Sequence, residues 1–477
     1  MESKIKHLIN YIVGNFFTKA LAFLSIPILT RLLTTEDYGI ISLYESLVMI
    51  FIPIIGLGMS TGISRNYFEK NNKFEIFLKN NLLFLFIFAG ITSILLYMGS
   101  YRIANQLHLD YKIVRMAILG GVLGIIFDIY QRLLMSSKKS KEYNIVSVSK
   151  SLLVLSLTFF FAYKFEEKFY SKIYATLIFG ILFLIILVVK YRKNIKKFKI
   201  DINHVKYTLS YSLPLVPAIL SNFILAQFDR VAITNITGNI SDTGLYSFAY
   251  NVGMIQQVIV LAIINTLRPY FYEYLNEGKY VEINKMVKKY SKFVYVSAIG
   301  LILFSKEIVL IMANENYYGA LNLVPIIIIG YIFVFFYTLY FQYASYAKKT
   351  GTISINTFIA GIFNIYLNYK YIPVYGYKAA AYTTVVSYFV LFILHYCNSR
   401  FNLKVRIIAL KIFYKDFILF IVIIMISFYI LNIKNFSIAF GLKFIIVLIT
   451  SYIYLVRGNE EWIKNGLLKK FAKRYGK

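Results

Sequence analysis

The stretch Thr30–Leu47 reads TRLLTTEDYGIISLYESL, and it decides the fold class. An apolar run ends at Arg31, two threonines and an acid pair follow, and the chain turns apolar again within a few residues. The runs on both sides reach roughly 18 residues, enough to cross a hydrocarbon core of about 30 Å as a helix. The stretch therefore predicts the tight turn of a helical hairpin in a membrane.

Composition extends this interpretation to the whole chain. Of 477 residues, 59% are hydrophobic and 16% charged, and the mean hydropathy is +0.64, which lies outside the range of soluble globular proteins. Continuous apolar runs, instead of alternating segments of about 10 residues, exclude a membrane β-barrel. We predict an all-α integral membrane protein with about fourteen transmembrane helices. The predicted spans are Ile9–Leu32, Gly39–Ile63, Asn81–Ser100, Ile113–Met135, Ile145–Tyr163, Ile173–Lys190, Tyr207–Ile236, Gly244–Leu267, Phe293–Met312, Leu323–Tyr346, Ile353–Ile372, Ala379–Cys397, Phe413–Leu431 and Ser437–Val456.

The formal net charge is +30, and its distribution indicates topology. Lysine and arginine concentrate in alternate connections, including KYRKNIKKFK (Lys190–Lys199) and the tail LLKKFAKRYGK (Leu467–Lys477). By the positive-inside rule, we expect a multi-pass protein of the cytoplasmic membrane with both termini in the cytoplasm. The basic segments would then face anionic lipid headgroups of the bilayer, so no nucleic-acid partner is expected.

Motifs of catalysis and metal binding are missing from the sequence. A lone Cys397 and four scattered histidines give no ligand spacing, and HExxH, P-loop and GxGxxG patterns do not occur. We therefore expect no catalytic site, no metal site and no cofactor.

An internal repeat organises the chain. When the sequence is shifted so that Asp37 falls on Asp242, Gly39 falls on Gly244 and Ser42 on Ser247. Both copies lie at the outer turn of a predicted hairpin, which indicates two parallel six-helix halves, residues 1–200 and 201–400. Residues 401–477 would add two extra helices and the basic tail. In each turn, we expect the aspartate to cap the next helix and the glycine to let the backbone bend.

Several blocks of the sequence resemble a known family. The blocks are PILTRLLTTEDYGIISLYESL (Pro27–Leu47), GLGMSTGISRNYFEK (Gly56–Lys70), LPLVPAILSNFILAQFDRVAITNITGNISDTGLYSFAYNVG (Leu213–Gly253), VPIIIIGYIFVFFYTLYFQYASYAKKTG (Val324–Gly351) and YIPVYGYKAAAYTTVVSYF (Tyr371–Phe389). They look like the polysaccharide transporters of the MOP superfamily, the Wzx-type flippases of capsule, O-antigen and exopolysaccharide units. The likeness runs from Ile9 to about Cys397, and lipid II flippases and multidrug exporters share its MATE-like fold.

The resemblance implies a function. The expected substrate is an undecaprenyl-pyrophosphate-linked oligosaccharide repeat unit, flipped from the inner to the outer face of the cytoplasmic membrane by alternating access. Polysaccharide polymerase and assembly proteins would be its protein partners, and a Na⁺ or H⁺ gradient would drive transport. Alternatives stay open: the same fold could carry lipid II or a drug, and a membrane polysaccharide polymerase is less favoured because no large outer loop is present.

Cations and polar groups inside the membrane are the candidate substrate-binding residues. An ionised side chain at mid-bilayer costs about 2.5–3.5 kcal/mol on insertion scales, so it should face a cavity or a partner. Lys19 lies deep in its helix, with a cavity or a pairing with Glu45 as the two interpretations, whereas Arg31 and Arg65 lie near interfaces, where snorkelling explains them equally well. Candidates for substrate contact are Lys19, Arg31, Arg65, Asn222, Gln227, Arg230, Tyr250 and Asn251.

Acidic groups inside the predicted spans are the candidates for ion coupling. Asp128 and Arg132 are four residues apart in FDIYQR, so they should share a helix face as an ion pair, either structural or part of a coupling site. Asp229 and Arg230 are adjacent and must point about 100° apart. The predicted coupling residues are Glu45, Asp128, Arg132 and Asp229.

Overall fold

The computed structural model describes residues 2–69, 74–191, 201–405, 407–408, 410–431, 433 and 435–457. Every regular element in these ranges is helical, which confirms the all-α fold class. The eighteen α-helices of the described ranges are α1 (Glu2–Leu32), α2 (Thr35–Gly56), α3 (Met59–Phe68), α4 (Phe74–Met98), α5 (Ser100–Gln106), α6 (Tyr111–Ser136), α7 (Ser140–Lys164), α8 (Tyr170–Tyr191), α9 (Ile202–Ser212), α10 (Val216–Thr237), α11 (Ile240–Asn276), α12 (Tyr280–Leu303), α13 (Ser305–Met312), α14 (Leu323–Tyr346), α15 (Thr350–Tyr375), α16 (Lys378–Cys397), α17 (Tyr414–Leu431) and α18 (Phe436–Ser451).

Among the described residues, fewer helices than the predicted fourteen have the length and composition of a membrane span. By length and composition, 11 helices of the described residues can cross a membrane, or up to 12 when the bent pair α12 and α13 counts as one span. Fourteen spans are therefore not confirmed, although helices occupy most of each predicted segment. Most of the segment Lys190–Lys199 and the whole tail Leu467–Lys477 lie outside the described residues.

Three predicted helices are interrupted, and local chemistry explains two of the breaks. The predicted span Tyr207–Ile236 contains a short 3₁₀ turn, Leu213–Leu215, between α9 and α10, because Pro214 and Pro217 lack the backbone N–H that an α-helix needs. The span Gly39–Ile63 is divided at Leu57 and Gly58, both in the left-handed region with φ of 47° and 62°. The third break is a 59° bend between α12 and α13.

The described chain divides into two compact units. One unit comprises Met1–Phe248, Met312–Ala320 and Ser354–Ser387; the other comprises Ala249–Ile311, Leu321–Ile353 and Tyr388–Lys477. The first unit contains the turns of both repeats. The division into residues 1–200, 201–400 and 401–477 describes sequence repeats and stays a prediction.

The first repeat turn is held by a capping box, with roles that differ from those expected. Thr34 is the N-cap residue of α2, and its Oγ1 accepts a hydrogen bond from the Asp37 backbone N–H at 3.1 Å. The Asp37 carboxylate accepts from the Thr34 backbone N–H at 2.9 Å. Asp37 therefore supports the cap from inside the helix instead of being the cap. Gly39 is helical, so the bend does not depend on it.

The two repeat turns touch each other, and glycine makes the contact possible. A Cβ placed on Gly39 would lie 3.1 Å from the Gly244 backbone nitrogen, and one placed on Gly244 would lie 3.1 Å from the Gly39 nitrogen. The same added atoms would overlap the backbone carbonyls of Ile240 and Thr35. Two positions that are equivalent in the sequence repeat thus pack backbone against backbone.

Further contacts surround this glycine pair within the same unit. The Tyr317 hydroxyl donates to the backbone carbonyls of Leu33 at 3.1 Å and Thr34 at 2.9 Å. The Thr30 hydroxyl donates to the Met312 carbonyl at 2.6 Å. The segment Met312–Ala320 therefore packs against the end of α1 and the turn that follows it.

Candidate functional site

A buried carboxylate on α10 forms the centre of a polar cluster. Asp229 has no exposed surface. One of its oxygens accepts from the Tyr246 hydroxyl at 2.5 Å and from the Thr384 hydroxyl at 2.6 Å, and the other accepts from the Asn368 side-chain amide at 2.7 Å. Three donors from α11, α15 and α16 thus converge on one acid, as a buried carboxylate requires.

A second layer of side chains holds these donors. Asn364 lies four residues before Asn368 on α15, and its Oδ1 accepts from the Asn368 amide at 3.2 Å. The Thr383 hydroxyl donates to Asn368 Oδ1. All of these groups are buried and offer carboxylate, amide or hydroxyl oxygens. Such oxygens are the ligands that hard cations prefer, and the single acid could alternatively take up a proton.

Arg230 follows Asp229 on α10 and lies against the ring of Tyr246, whose hydroxyl donates to Asp229. Its Nη1 donates to the Ala226 backbone carbonyl at 3.0 Å, and its guanidinium carbon lies 5.8 Å from the centre of the Tyr246 ring. The side chain is 4% exposed. Helix α10 therefore buries two adjacent charges that share Tyr246 as a neighbour.

A separate cavity of about 560 Å³ lies among α1, α2, α6, α7 and α8. Four acidic or basic side chains of the described residues line it, Glu45, Asp128, Lys150 and Lys172. Lys172 Nζ lies 2.7 Å from a Glu45 carboxylate oxygen. Glu45 and Asp128, both predicted for ion coupling, are thus brought to one cavity.

The predicted ion pair on α6 forms beside this cavity. Arg132 Nε lies 3.0 Å from both carboxylate oxygens of Asp128. Glu45, by contrast, pairs with Lys172, and the described structure shows no ion pair between Lys19 and Glu45. The described residues therefore do not form the Lys19–Glu45 pair that was one of the two interpretations of Lys19.

The remaining predicted cations are exposed. The side chains of Lys19 and Arg31 lie on the surface of α1, and Arg31 Nη1 reaches the Pro27 carbonyl at 3.2 Å. Arg65 on α3 lies 3.5 Å from Glu69 and 5.6 Å from the centre of the Tyr211 ring. Roles of these residues in substrate binding stay predictions.

The polar candidates are separated between the two units. Asn222 is exposed and donates to Ala218 on its own helix at 2.9 Å, while Gln227 accepts from Ser46 on α2 at 3.4 Å. Tyr250 and Asn251 belong to the second unit, where the Tyr250 hydroxyl lies 3.3 Å from that of Tyr388. The predicted substrate residues therefore do not form one cluster within either unit.

Several residues of these sites were not found from the sequence. Lys172 lies one residue before a predicted span, so the sequence places it in a connection. Asn364 and Asn368 were overlooked, although two amides four residues apart in an apolar helix share one face. Tyr246 and Thr384 carried no signal, because an isolated hydroxyl is common in membrane helices.

Comparison with known proteins agrees with this architecture. The family described as polysaccharide biosynthesis protein matches residues 5–275, more than half of the chain. The Haemophilus influenzae protein described as Lsg locus putative protein 1 is 24% identical over 385 residues, covering 77% of this chain and 92% of that protein.

Two solved transporter structures share this fold. The inward closed conformation of the lipid II flippase MurJ superposes with a TM-score of 0.73 at 15% identity, covering 95% of this chain and 100% of that one. An inward-facing multidrug resistance MATE transporter of the MOP superfamily gives a TM-score of 0.63 at 13% identity, covering 83% and 98%. The chain therefore has the MATE-like fold that the sequence blocks implied.

Proposed function

The chain belongs to the polysaccharide biosynthesis protein family and shares its fold with a transporter of the MOP superfamily, and we propose that it is a transporter, not an enzyme, that flips lipid-linked saccharides. The cargo is an undecaprenyl-pyrophosphate-linked oligosaccharide repeat unit of a capsule, O-antigen or exopolysaccharide. It moves from the inner to the outer face of the cytoplasmic membrane by alternating access. Both termini lie in the cytoplasm, as the positive-inside distribution favours, and polysaccharide polymerase and assembly proteins act on the product.

The observation that carries the transport mechanism is the contact between the two repeat turns. Gly39 and Gly244 are equivalent in the repeat and approach each other through their backbones. In a transporter of two related halves, such a contact closes one end of the pathway and parts in the opposite state. With a cytoplasmic N-terminus, this contact lies at the outer end of the two hairpins.

Coupling to a cation is assigned to Asp229. The carboxylate is enclosed by oxygen and amide groups of Tyr246, Asn368 and Thr384, and a bound Na⁺ or H⁺ would neutralise a charge that is otherwise costly to bury. Glu45, Asp128 and Arg132 already have partners of opposite charge. Asp229 accepts its hydrogen bonds from neutral groups. Among the predicted coupling acids, it is therefore the one that can most readily bind and release a cation.

The pyrophosphate is assigned to the cations that the sequence predicts for substrate binding. Lys19, Arg31 and Arg65 are exposed, and Arg230 is buried beside Tyr246. Pairing with phosphate oxygens would offset the cost of holding these cations in a membrane and of moving the phosphates across it. Asn222, Gln227, Tyr250 and Asn251 would contact the sugars.

Sidedness of the lipid-linked saccharide tests the proposal. Spheroplasts of cells that lack the protein, with and without a plasmid copy, are treated with a membrane-impermeant glycosidase. We expect the lipid-linked repeat unit to accumulate in an inaccessible form and to become accessible on complementation. Equal accessibility without the protein would contradict the proposal.

A second candidate is lipid II itself. The fold similarity to the lipid II flippase favours it, whereas the family match to polysaccharide biosynthesis proteins favours the repeat unit. The same spheroplasts distinguish them, since loss of lipid II flipping would leave peptidoglycan precursors inaccessible while the repeat unit still reached the outside. A drug exporter would change neither pool.

A further inference from the structure

The cavity among α1, α2, α6, α7 and α8 has an unbalanced charge. Glu45 pairs with Lys172 at 2.7 Å, and Asp128 pairs with Arg132 at 3.0 Å. Lys150 also lines the cavity, and the described residues place no carboxylate oxygen within 4.0 Å of its ammonium group. Glu45 acts on Lys150 only at longer range. Two neutral pairs and one additional cation leave the cavity wall with a net charge of about +1.

Aromatic rings support this additional cation. Lys150 Nζ lies 4.2 Å from the centre of the Phe127 ring and 5.9 Å from that of Phe179. The attraction between a cation and an aromatic face is smaller than the cost of placing a charge inside a membrane. An anion in the cavity would supply the rest.

The size and the lining of the cavity indicate what kind of anion fits. A volume of about 560 Å³ falls in the range of roughly 300–1,000 Å³ that is common for small-molecule sites. Beside the two phenylalanines, the wall carries the amide of Gln131 and the hydroxyls of Tyr44 and Thr176. Ring faces together with hydrogen-bonding groups suit a sugar ring, which has both apolar and hydroxyl-bearing surfaces.

We propose that this cavity binds a monoanionic sugar, a carboxylate-bearing unit of the uronic-acid type, with Lys150 as its cation. The proposal rests on the proposed function, because the sugar would belong to the transported saccharide. One unpaired ammonium matches one carboxylate. A pyrophosphate, with two or more negative charges, would meet Glu45 and Asp128 in the same cavity and would remain under-compensated.

The Glu45–Lys172 pair limits the affinity of the cavity for a carboxylate. Lys172 is the second cation of the cavity, and Glu45 competes with any bound carboxylate for it. Removing the Glu45 charge should therefore free Lys172 to bind the ligand. The proposal thus predicts one variant that loses binding and another that gains it.

Ligand-observed NMR on the purified full-length protein in nanodiscs tests the site at millimolar ligand concentrations. The probes are glucuronate, glucose and inorganic pyrophosphate. We expect the wild-type protein to bind glucuronate in preference to the other two. Lys150→Met should weaken glucuronate binding about tenfold or more, since a charge-assisted contact is lost, while Lys150→Arg should retain it. Lys112→Met, at an exposed lysine of α6 outside the cavity, is the matched control and should bind as the wild type does.

Glu45→Gln covers the case in which Lys150→Met fails to fold, and it should strengthen glucuronate binding several-fold. The proposal is overturned if glucuronate does not bind the wild type, if Lys150→Met binds it equally, or if pyrophosphate is preferred. This assay requires no transport. A negative result would remove the site and leave the spheroplast result standing, whereas a failed spheroplast test with positive binding would remove the flippase assignment.

Discussion

Replacing Gly39 by alanine should force the two repeat turns apart. The added Cβ would lie 2.8 Å from Ile240 Cγ2 and overlap the Ile240 carbonyl oxygen. Separations under 3.0 Å are essentially never seen for real Cβ atoms. Because the overlapping oxygen belongs to the backbone, no side-chain rotation can relieve the clash, and the turns must separate. Gly244→Ala should do the same through the Thr35 carbonyl.

The magnitude follows from the cost of overpacking. Inserting a methyl group into a well-packed contact typically costs about 1–3 kcal/mol, and 1.4 kcal/mol is about a tenfold change in an equilibrium constant. Gly39→Ala should thus shift the equilibrium roughly 5- to 150-fold towards the state in which the turns are apart. A transporter that cannot close this end should also flip more slowly.

Spin-label distance measurements can follow this shift directly. Labels at Glu36 and Asn239, exposed residues on the two turns, in a Cys397→Ser background, should report a short distance for the wild type and a longer one for Gly39→Ala. Gly90→Ala is the matched control, because nothing lies within 4 Å of its added Cβ. Alanine favours a helix over glycine by about 1 kcal/mol, so that control should be neutral or stabilising. An unchanged short distance and normal flipping in both glycine variants of the contact would refute the reasoning.

Three further predictions concern coupling and stability. Asp229→Asn should abolish the dependence of flipping on a Na⁺ or H⁺ gradient, because the neutral side chain no longer binds and releases a cation. The test is the rate at which the lipid-linked saccharide reaches the outer face at varied Na⁺ concentration and pH. An unchanged dependence would exclude Asp229 as the coupling group. Lys443→Met should lower the free energy of unfolding by about 3–5 kcal/mol, because Lys443 is buried 2.6 Å from Glu307. Lys285→Met removes a cation from an exposed ion pair and should lower that free energy by less than about 1 kcal/mol. Unfolding in detergent compares the two variants, and equal losses would contradict the argument. Thr34→Ala should destabilise the first turn of α2 by about 0.5–2 kcal/mol, visible as faster hydrogen exchange there; unchanged exchange would show that the capping box is dispensable.

The predicted pairs show how far local reasoning reaches. The Asp128–Arg132 pair was predicted because both residues lie on one helix, where a spacing of four brings them together by geometry alone. The partner of Glu45 was not predicted, because Lys172 follows it by more than a hundred residues and reaches it only through the packing of α8 near α2. The helix breaks show the same difference between local and distant causes. Prolines in the sequence account for the 3₁₀ turn, whereas the sequence around the bend after Leu303 contains no such residue.

By itself, the sequence determined the all-helical membrane class, the segments that form helices and the family, because apolar run length, charge placement and repeated turn residues act along the chain. Only the tertiary structure decided that Gly39 meets Gly244 and that Asp229 collects donors from three other helices. The physical reason is that a membrane solvates every apolar helix face alike. Which faces meet therefore depends on close packing and buried hydrogen bonds between segments far apart in the chain, and periodicity carries little record of those contacts.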